Sequence, residues 1–356
     1  MPIFALLTLG PAAALALGAL LGGAWPWVAL LSMTGLTFVI DRHGGAALPP
    51  LEETRQARRL SLALGLLHFP LLGLAVLHLA GATGATGTER AILFLAFGIF
   101  FGQISNSNAH ELIHGGARPL RRLGEAIYAS LLFGHHASAH LLVHHVHVGT
   151  GDDPNTARRG ESVYRFALRA WTGSFRAGLR AESLRSARTG RRHPYWRYAL
   201  LTALALGGAL ALAGLAGVVA LLAISLYAQF QLLLSDYVQH YGLTRPMRPD
   251  GRPVPLGPEH SWNAPHRASG AMTLNAPRHS DHHLSPRRPF EALRLEPGRM
   301  PVLPHSLPVM AVIALVPPLW RRVMDPRLDR LTTRPGTTRE QAEATAGGNP
   351  APATAP

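Results

Sequence analysis

Long apolar blocks alternate with polar, histidine-bearing stretches along the chain. Six of these blocks approach the roughly 20 residues that a helix with a 1.5 Å rise per residue needs to cross the core of a bilayer. Short connections join the blocks in pairs, which predicts an all-α integral membrane protein with six transmembrane helices in three hairpins. The predicted spans are residues 3–21, 25–40, 60–80, 91–107, 199–217 and 218–237.

Two further apolar stretches are too short to span. Residues 307–320 are interrupted by three prolines and are expected to lie on the surface or to re-enter the membrane, and residues 126–134 form a shorter run. From residue 332 the composition turns to Thr, Pro, Gly, Ala and Glu, which is typical of disorder. The sequence therefore predicts a membrane-embedded domain over 1–331 and a disordered tail over 332–356.

Arginines in the connecting segments predict the orientation. Arg42, Arg55, Arg58 and Arg59 lie between the second and third spans, whereas Glu89 and Arg90 are the charged residues between the third and fourth. Because positive residues concentrate on the cytoplasmic side, both termini, segment 108–198 and everything after residue 240 are expected there. We expect a multi-pass membrane protein with both termini in the cytoplasm.

Composition agrees with a membrane protein and restricts its redox chemistry. The 356 residues are 47% hydrophobic and 15% charged, with a formal net charge of +14 and no lysine. Membrane orientation explains this charge better than binding of nucleic acid, which is not expected. The absence of cysteine excludes thiolate metal sites, iron–sulfur clusters and a fused rubredoxin-type domain, so that electrons must come from a separate protein.

Nine of the 19 histidines form four clusters, in the sequences NAHELIH, AHLLVHH, VQHYGL and RHSDHH. Nine neutral nitrogen donors are too many for one ordinary metal site and about right for two, whereas a structural role would gain little from packing so many imidazoles together. Imidazole by itself is compatible with zinc, copper, iron or nickel. The candidate ligands are His110, His114, His140, His144, His145, His240, His279, His282 and His283.

Helical spacing predicts how these side chains are shared. His110 and His114 are four residues apart and are expected on one face of a helix. His140 and His144 repeat that pair, while His145 is displaced by about 100° and is positioned for a second, adjacent metal. In the cluster at 279–283, His279 and His282 are likewise expected to form a pair, three residues apart, and His283 is expected to reach the second metal.

Together, these four motifs and their flanks, including GDDPNTARRGESVYRF, HSWNAPH and NAPRHSDHH, resemble the bacterial alkane 1-monooxygenases of the membrane-bound non-haem di-iron class. The resemblance extends to about residue 330. It implies that the nine histidines hold two irons that activate dioxygen. It also implies that the terminal methyl of an alkane, taken from the lipid, is hydroxylated to a primary alcohol.

The resemblance also implies an electron supply from rubredoxin and rubredoxin reductase. Rubredoxins are small and acidic, so an arginine-rich cytoplasmic face is an expected docking surface. The candidate arginines are Arg158, Arg159, Arg165, Arg169 and Arg176.

The chain departs from the family pattern beside the predicted ligands. Gly115, Ala139, Val143 and Gln239 stand where the family commonly has Lys, Glu, Gly and Glu. Two carboxylates near the metals are therefore absent, although two ferrous ions held by neutral imidazoles need anions or hydrogen-bond acceptors nearby. Other carboxylates in the sequence can fill that role. The candidates are Glu111, Asp153, Asp236, Asp281, Glu161 and Glu259.

Three alternatives remain open at the level of sequence. A fatty-acid desaturase or lipid hydroxylase has similar histidine boxes, but His240 and the RHSDHH context favour the alkane type. Aryl-methyl monooxygenases of the xylene type share the same boxes. A metal-binding or metal-transport membrane protein is disfavoured, since His68 and His78 alone interrupt the spans with ionisable groups.

Overall fold

A computed structural model describes residues 1–45, 47–52 and 54–332. The tail predicted from residue 332 lies outside the described residues except for Thr332, which ends the last helix. The helices of the described residues are α1 (Pro2–Leu21), α2 (Trp25–Met33), α3 (Gly35–His43), α4 (Arg55–Leu79), α5 (Gly87–Ile99), α6 (Asn106–His114), α7 (Arg118–Ser130), α8 (His136–Ala139), α9 (His145–His147), α10 (Val163–Thr189), α11 (Tyr195–His240), α12 (Arg267–Met272), α13 (His279–Leu284), α14 (Leu307–Ala314) and α15 (Pro317–Thr332).

Two π-helical turns interrupt this series. The first, Phe100–Ser105, joins α5 to α6, and the second, His140–His144, joins α8 to α9. Within the described ranges the only extended pairing is a pair of isolated bridges, Met247 with Pro253 and Asn263 with Val302. The predicted all-α class is confirmed.

Four continuous helical stretches are long and apolar enough to cross a membrane. Two of them contain the spans predicted at 3–21 and 91–107, and a third covers the span predicted at 60–80 up to Leu79. The stretch that contains 91–107 is continuous through the first π-helical turn and carries α6 with it, so the helix that leaves the membrane also bears the first histidine pair. These stretches are Pro2–Leu21, Arg55–Leu79, Gly87–His114 and Tyr195–His240.

The second predicted span, 25–40, is broken in the structure. Thr34 has φ −116° and ψ −86°, which separates α2 from α3, each of nine residues and therefore shorter than a bilayer core. Two hydroxyl groups bond to backbone carbonyls at the break. That of Thr34 donates to Leu30, and that of Thr37 donates to Ser32. Such side-chain bonds compete with regular helix geometry, and the apolar pattern does not reveal them.

The last two predicted spans form one 46-residue element, α11, with non-helical backbone at Ala213 and at Gly214, where φ is +61°. Thr202 donates to the carbonyl of Ala129, and Gln229 donates to that of Leu131. A straight helix would separate these two donors by about 40 Å. The chain therefore reverses at Gly214, and α11 consists of two antiparallel arms.

Two buried apolar cores position the histidine clusters. One packs α1, α4 and α5 through residues such as Leu15, Ala75 and Phe97. The other includes Ala109, Ile113, Ala137 and Val238, which are close neighbours of the predicted ligands. The histidine-bearing turns are therefore fixed by the same packing that joins the helices.

The short apolar stretch at 307–320 is divided between α14 and the start of α15. Leu307, Met310 and Ala314 are buried on one side of α14, whereas Val312 is exposed on the other. This segment is not among the four candidate spans, in agreement with its predicted shortness.

Candidate metal centre

All nine candidate histidines converge, although they come from four separated segments. They form two groups, and within each group the nearest nitrogens all lie within 4.8 Å of one another. The five-histidine group consists of His110, His114, His140, His145 and His282. The four-histidine group consists of His144, His240, His279 and His283.

His140 is the centre of the five-histidine group. Its Nε2 atom lies 2.8 Å from Nε2 of His110, 3.0 Å from Nε2 of His114 and 2.9 Å from Nε2 of His145. Nε2 of His145 lies in turn 3.1 Å from Nε2 of His282. Helices α6, α9 and α13 thus aim their imidazoles at one small volume.

Hydrogen bonds among neutral imidazoles cannot account for all of these short contacts. Each neutral ring nitrogen has either one proton or one lone pair, so His140 Nε2 can form one such bond and not three. Two nitrogens bound at about 2.1 Å to one metal, at an angle near 90°, lie about 3.0 Å apart. The nitrogen separations therefore fit lone pairs converging on a cation.

The four-histidine group has the same character. Nε2 of His279 lies 2.9 Å from Nε2 of His240 and 3.1 Å from Nε2 of His283. Nε2 of His144 is buried and has no hydrogen-bond partner among the described residues. A buried nitrogen without a partner is unfavourable, and a metal ion would remove that cost.

The sharing of histidines between the groups differs from the prediction. In a π-helical turn, residues five apart lie on the same face, and His140–His144 forms such a turn. His140 therefore joins His145, and His144 belongs to the other group, instead of the predicted four-residue pair. In α13, likewise, His279 shares a group with His283 and not with His282.

Burial favours the neutral form of eight of the nine imidazoles, His144 being the exception. Desolvation, followed by the charges of neighbouring imidazoles, holds the pKa of His140 and His145 well below the ordinary value. The same causes lower the pKa of His279, His282 and His283. Neutral imidazole is the form that binds metals, so the site is prepared for a cation at neutral pH.

His144 has a carboxylate partner. Its Nδ1 atom lies 2.9 Å from Oδ2 of Asp153, and both side chains are buried. Burial by itself would lower the pKa of His144, but the Asp153 carboxylate outweighs it and the pKa is raised. A proton held on Nδ1 leaves Nε2 with its lone pair directed into the four-histidine group.

A small cavity of about 60 Å³ touches both groups. Its walls include His110 and His140 from the five-histidine group and His279 from the other. Gln103, Gln239 and other polar side chains complete the lining. A small molecule in this cavity would therefore contact candidate ligands of both groups.

Comparison with known proteins agrees with this arrangement. The fatty acid desaturase family profile matches residues 90–311. Alkane 1-monooxygenase 2 of Pseudomonas aeruginosa is 33% identical over 86% of this chain and 84% of its own length. Alkane 1-monooxygenase of Ectopseudomonas oleovorans is 33% identical over 79% of this chain and 70% of its own length.

The chain belongs to the alkane 1-monooxygenase family. A more distant relative, the xylene/toluene monooxygenase hydroxylase component of Pseudomonas putida, is 25% identical over 84% of this chain and 81% of its own length. Members of this family are enzymes of the membrane, and the apolar helices agree with that location.

Among the carboxylates proposed beside the ligands, the structure places Asp153 against a candidate histidine. Asp236 accepts a hydrogen bond from Asn155 at 2.6 Å and lines the small cavity that reaches both histidine groups. Asp281 pairs with Arg288 and accepts from the backbone N–H of Arg294, which directs it away from the groups. Glu111 lines a separate surface cavity beside His114.

The remaining two carboxylate candidates also serve elsewhere. Glu161 accepts two hydrogen bonds from Arg169, and Glu259 lies 3.5 Å from the Nδ1 atom of His260. At one departure from the family pattern, Gln239 donates to the carbonyl of Ala276 at 3.0 Å. Its amide thus makes a structural bond where this alkane 1-monooxygenase family commonly has a carboxylate.

Two residues that position Asp153 through hydrogen bonds were not predicted from the sequence. The hydroxyl of Thr156 donates to its Oδ2 atom at 2.7 Å, and the backbone N–H of Asn155 donates to its Oδ1 atom at 3.0 Å. The signal was present in the run GDDPNT, since Asp followed by Pro and Asn is typical of a turn closed by its own side chain.

Replacing Asp153 with asparagine is expected to lower metal affinity and activity by about 10- to 100-fold, because the tautomer of His144 loses its carboxylate partner. Asp152→Asn is the matched control, since Asp152 is adjacent and exposed. Metal titration and hydroxylase turnover of both variants check the prediction. Equal losses in the two variants would show that Asp153 does not act through His144.

Proposed function

We propose that this chain is a membrane-bound di-iron monooxygenase that converts the terminal methyl of an alkane to a primary alcohol, using dioxygen and external electrons. The observation that carries the proposal is the convergence of nine buried or half-buried histidines into two adjacent groups. Relatives named alkane 1-monooxygenase, which align with most of the chain, support the substrate class.

Two irons would be held by the five-histidine and four-histidine groups, one in each. When bound, they would activate dioxygen for insertion of one oxygen atom into a carbon–hydrogen bond. The protein's part is to keep the imidazoles neutral and oriented, and to offset the cationic charge of the site. Asp153, through His144, supplies the nearest described carboxylate for that purpose.

Zinc is less suitable for this proposal, although imidazole also binds it. A structural zinc takes four ligands and closes its coordination, and zinc has no redox role. Nine donors in two adjacent groups, three of them lining one cavity, fit two metals that retain open positions, as dioxygen chemistry requires.

We further propose six membrane passes, with both termini and the metal centre on the cytoplasmic side of the bacterial inner membrane. The two arms of α11 supply two passes, and α2 with α3 supplies a broken one. Buried Thr37 in α3 supports the broken pass, since its hydroxyl is satisfied within the chain. The arginines of the connecting segments support the orientation.

The 60 Å³ cavity is too small for an alkyl chain and large enough for its terminal methyl beside dioxygen. The remainder of the substrate would lie between the spans, reaching the site from the lipid. Gln103 lines the cavity and donates to the amide oxygen of Gln231, whose amide nitrogen donates to the carbonyl of Gly98.

Rubredoxin, reduced by its reductase, is the proposed electron donor. Among the docking arginines expected from sequence, Arg159 pairs with Asp329 and Arg169 pairs with Glu161, so these two charges are partly used. A surface cavity of about 290 Å³ reaches His114 and is lined by Arg58 and Arg287, and by Arg288, which pairs with Asp281. This is the preferred docking position, because an acidic donor there would contact a candidate ligand directly.

Product analysis tests the proposed function. Cells that produce the chain together with rubredoxin and its reductase are given alkanes, fatty acids and alkylbenzenes in separate cultures. We expect primary alcohols from the alkanes, and no alcohols from cells producing His140→Ala. The matched control is His305→Ala, because His305 is exposed and outside both groups.

The distant similarity to the xylene/toluene monooxygenase component favours alkylbenzenes as the second candidate substrates. Benzylic alcohols without 1-alkanols would replace the alkane proposal with an aryl-methyl one. Unsaturated or hydroxylated acyl products would indicate a desaturase or lipid hydroxylase. Turnover of none of the three classes, with metal bound, would favour a non-catalytic metal-binding protein.

A further inference from the structure

An arginine-rich cavity of about 150 Å³ lies where α7, α10 and the start of α11 meet. Two glutamates share its lining with six arginines, so the lining is strongly basic. The arginines are Arg121, Arg122, Arg185, Arg191, Arg192 and Arg197.

Both glutamates already have partners. Glu125 accepts hydrogen bonds from Arg122 at 3.1 Å and from Arg197 at 2.7 Å. Glu182 accepts from the hydroxyl of Ser138 at 2.7 Å and lies 3.8 Å from a guanidinium nitrogen of Arg185.

The other three arginines of the cavity have unused donors. Among residues 1–45, 47–52 and 54–332, no hydrogen bond or ion pair involves the side chain of Arg121, Arg191 or Arg192. Like charges gathered around one cavity repel one another unless an anion lies between them. Guanidinium groups bind phosphate oxygens through paired hydrogen bonds, and the cavity has the volume of about five liquid water molecules, enough for a phosphate group.

The adjacent surface of α11 indicates the source of the phosphate. Trp196, Leu200 and Leu204 are exposed and spaced by four residues, so they form an apolar stripe that begins beside Arg197. Tyr195–His240 is a candidate membrane span, and tryptophan is typical of its interfacial end. A phospholipid would therefore place its acyl chains along this stripe and its phosphate among the arginines.

We infer that this cavity binds the headgroup phosphate of an anionic phospholipid. Basic pockets between helices at the cytoplasmic surface are suited to such headgroups. Ile113, Ser138 and Leu141 also line the cavity and are close in sequence to His114 and His140. Bound lipid would therefore also stabilise the segments that carry two candidate metal ligands.

Native mass spectrometry of the detergent-solubilised full chain tests the inference without relying on activity. The chain is titrated with phosphatidylglycerol, with zwitterionic phosphatidylcholine and with inorganic phosphate. We expect phosphatidylglycerol to bind most tightly. Its affinity is expected to fall by at least about tenfold in the triple variant Arg121→Gln, Arg191→Gln, Arg192→Gln, which loses several charged hydrogen bonds.

The matched control is the triple variant Arg176→Gln, Arg180→Gln, Arg188→Gln, which removes the same charge from exposed positions of α10 outside the cavity. Unchanged lipid affinity in this control supports the inference. If the cavity variant does not fold, Arg191→Gln alone removes one exposed arginine from the connection between α10 and α11 and is expected to show a smaller loss in the same direction.

Three results would overturn the inference. One is an equal loss of lipid affinity in the cavity variant and the α10 control. Another is binding of inorganic phosphate without preference for phosphatidylglycerol, which would assign the site to a soluble anion. The third is loss of rubredoxin binding in the cavity variant with phosphatidylglycerol affinity unchanged, which would assign the surface to a protein partner.

Discussion

Replacing His140 with alanine is expected to abolish alkane hydroxylation and to reduce bound iron from two ions per chain to about one. His140 has the largest expected effect because its Nε2 atom lies within 3.0 Å of the Nε2 atoms of three other candidate ligands. Without it, the five-histidine group loses its central donor, whereas the four-histidine group retains all its members, so bound iron is the readout that separates this variant from changes elsewhere in the cavity lining. Iron analysis of the purified variant, together with turnover, checks both parts of the prediction.

His136→Ala is the matched control for this variant. His136 is also buried, is located four residues earlier and lies 5.3 Å from His140 between ring centroids, but it belongs to neither group. It packs against Tyr128 and Phe133, so its loss is expected to lower stability while two irons remain bound. Two irons in His140→Ala, or one in His136→Ala, would contradict the assignment of the five-histidine group.

Replacing His240 with alanine is expected to abolish hydroxylation while preserving the helical membrane fold. His240 ends α11, is completely buried, and places its Nε2 atom 2.9 Å from Nε2 of His279. The substitution removes one of the four nitrogen donors that converge in this group. Turnover, iron content and helical content by circular dichroism measure the effect.

The adjacent residue supplies the control for His240. Gln239→Ala removes a buried side chain that donates to the carbonyl of Ala276. It leaves every candidate ligand in place. It is expected to retain two irons, although turnover can change because Gln239 lines the cavity. Substantial turnover in His240→Ala, at full iron content, would remove His240 from the ligand set.

The sequence alone singled out the nine histidines that converge in the structure. Histidine is rare enough in apolar helices that four clusters of it at the membrane boundary indicate shared chemistry. The structure brings all nine together, and their binding of iron stays a prediction. Their division between the groups was wrong at His144, because that segment forms a π-helical turn, and at His282, because the four-residue pair His279 and His283 shares a group in the α-helix α13.

The helical fold was largely predictable, and its interruptions were not. Apolar length indicates a span, but the break at Thr34 depends on side-chain hydroxyls that bond to helix carbonyls. The reversal in α11 was expected at residues 217–218 and occurs at Gly214, where the left-handed backbone favours glycine. Four other positions within three residues of Gly214 are also glycine or alanine, so the hydrophobic pattern does not specify where the chain turns.

Charge compensation beside the metals depends on tertiary contacts. Asp153 was one of several candidate carboxylates, and its role became clear only because the turn at 153–156 folds it against His144. Asp281, next to a candidate ligand in sequence, is instead held by Arg288. Proximity in sequence was therefore a poor guide, since adjacent helical residues point in different directions.

Metal analysis of the purified chain tests the central claim most directly. After anaerobic reconstitution with ferrous iron and zinc offered together, elemental analysis is expected to find two irons per chain, in agreement with two histidine groups of five and four members. A stoichiometric zinc content without iron would contradict the account.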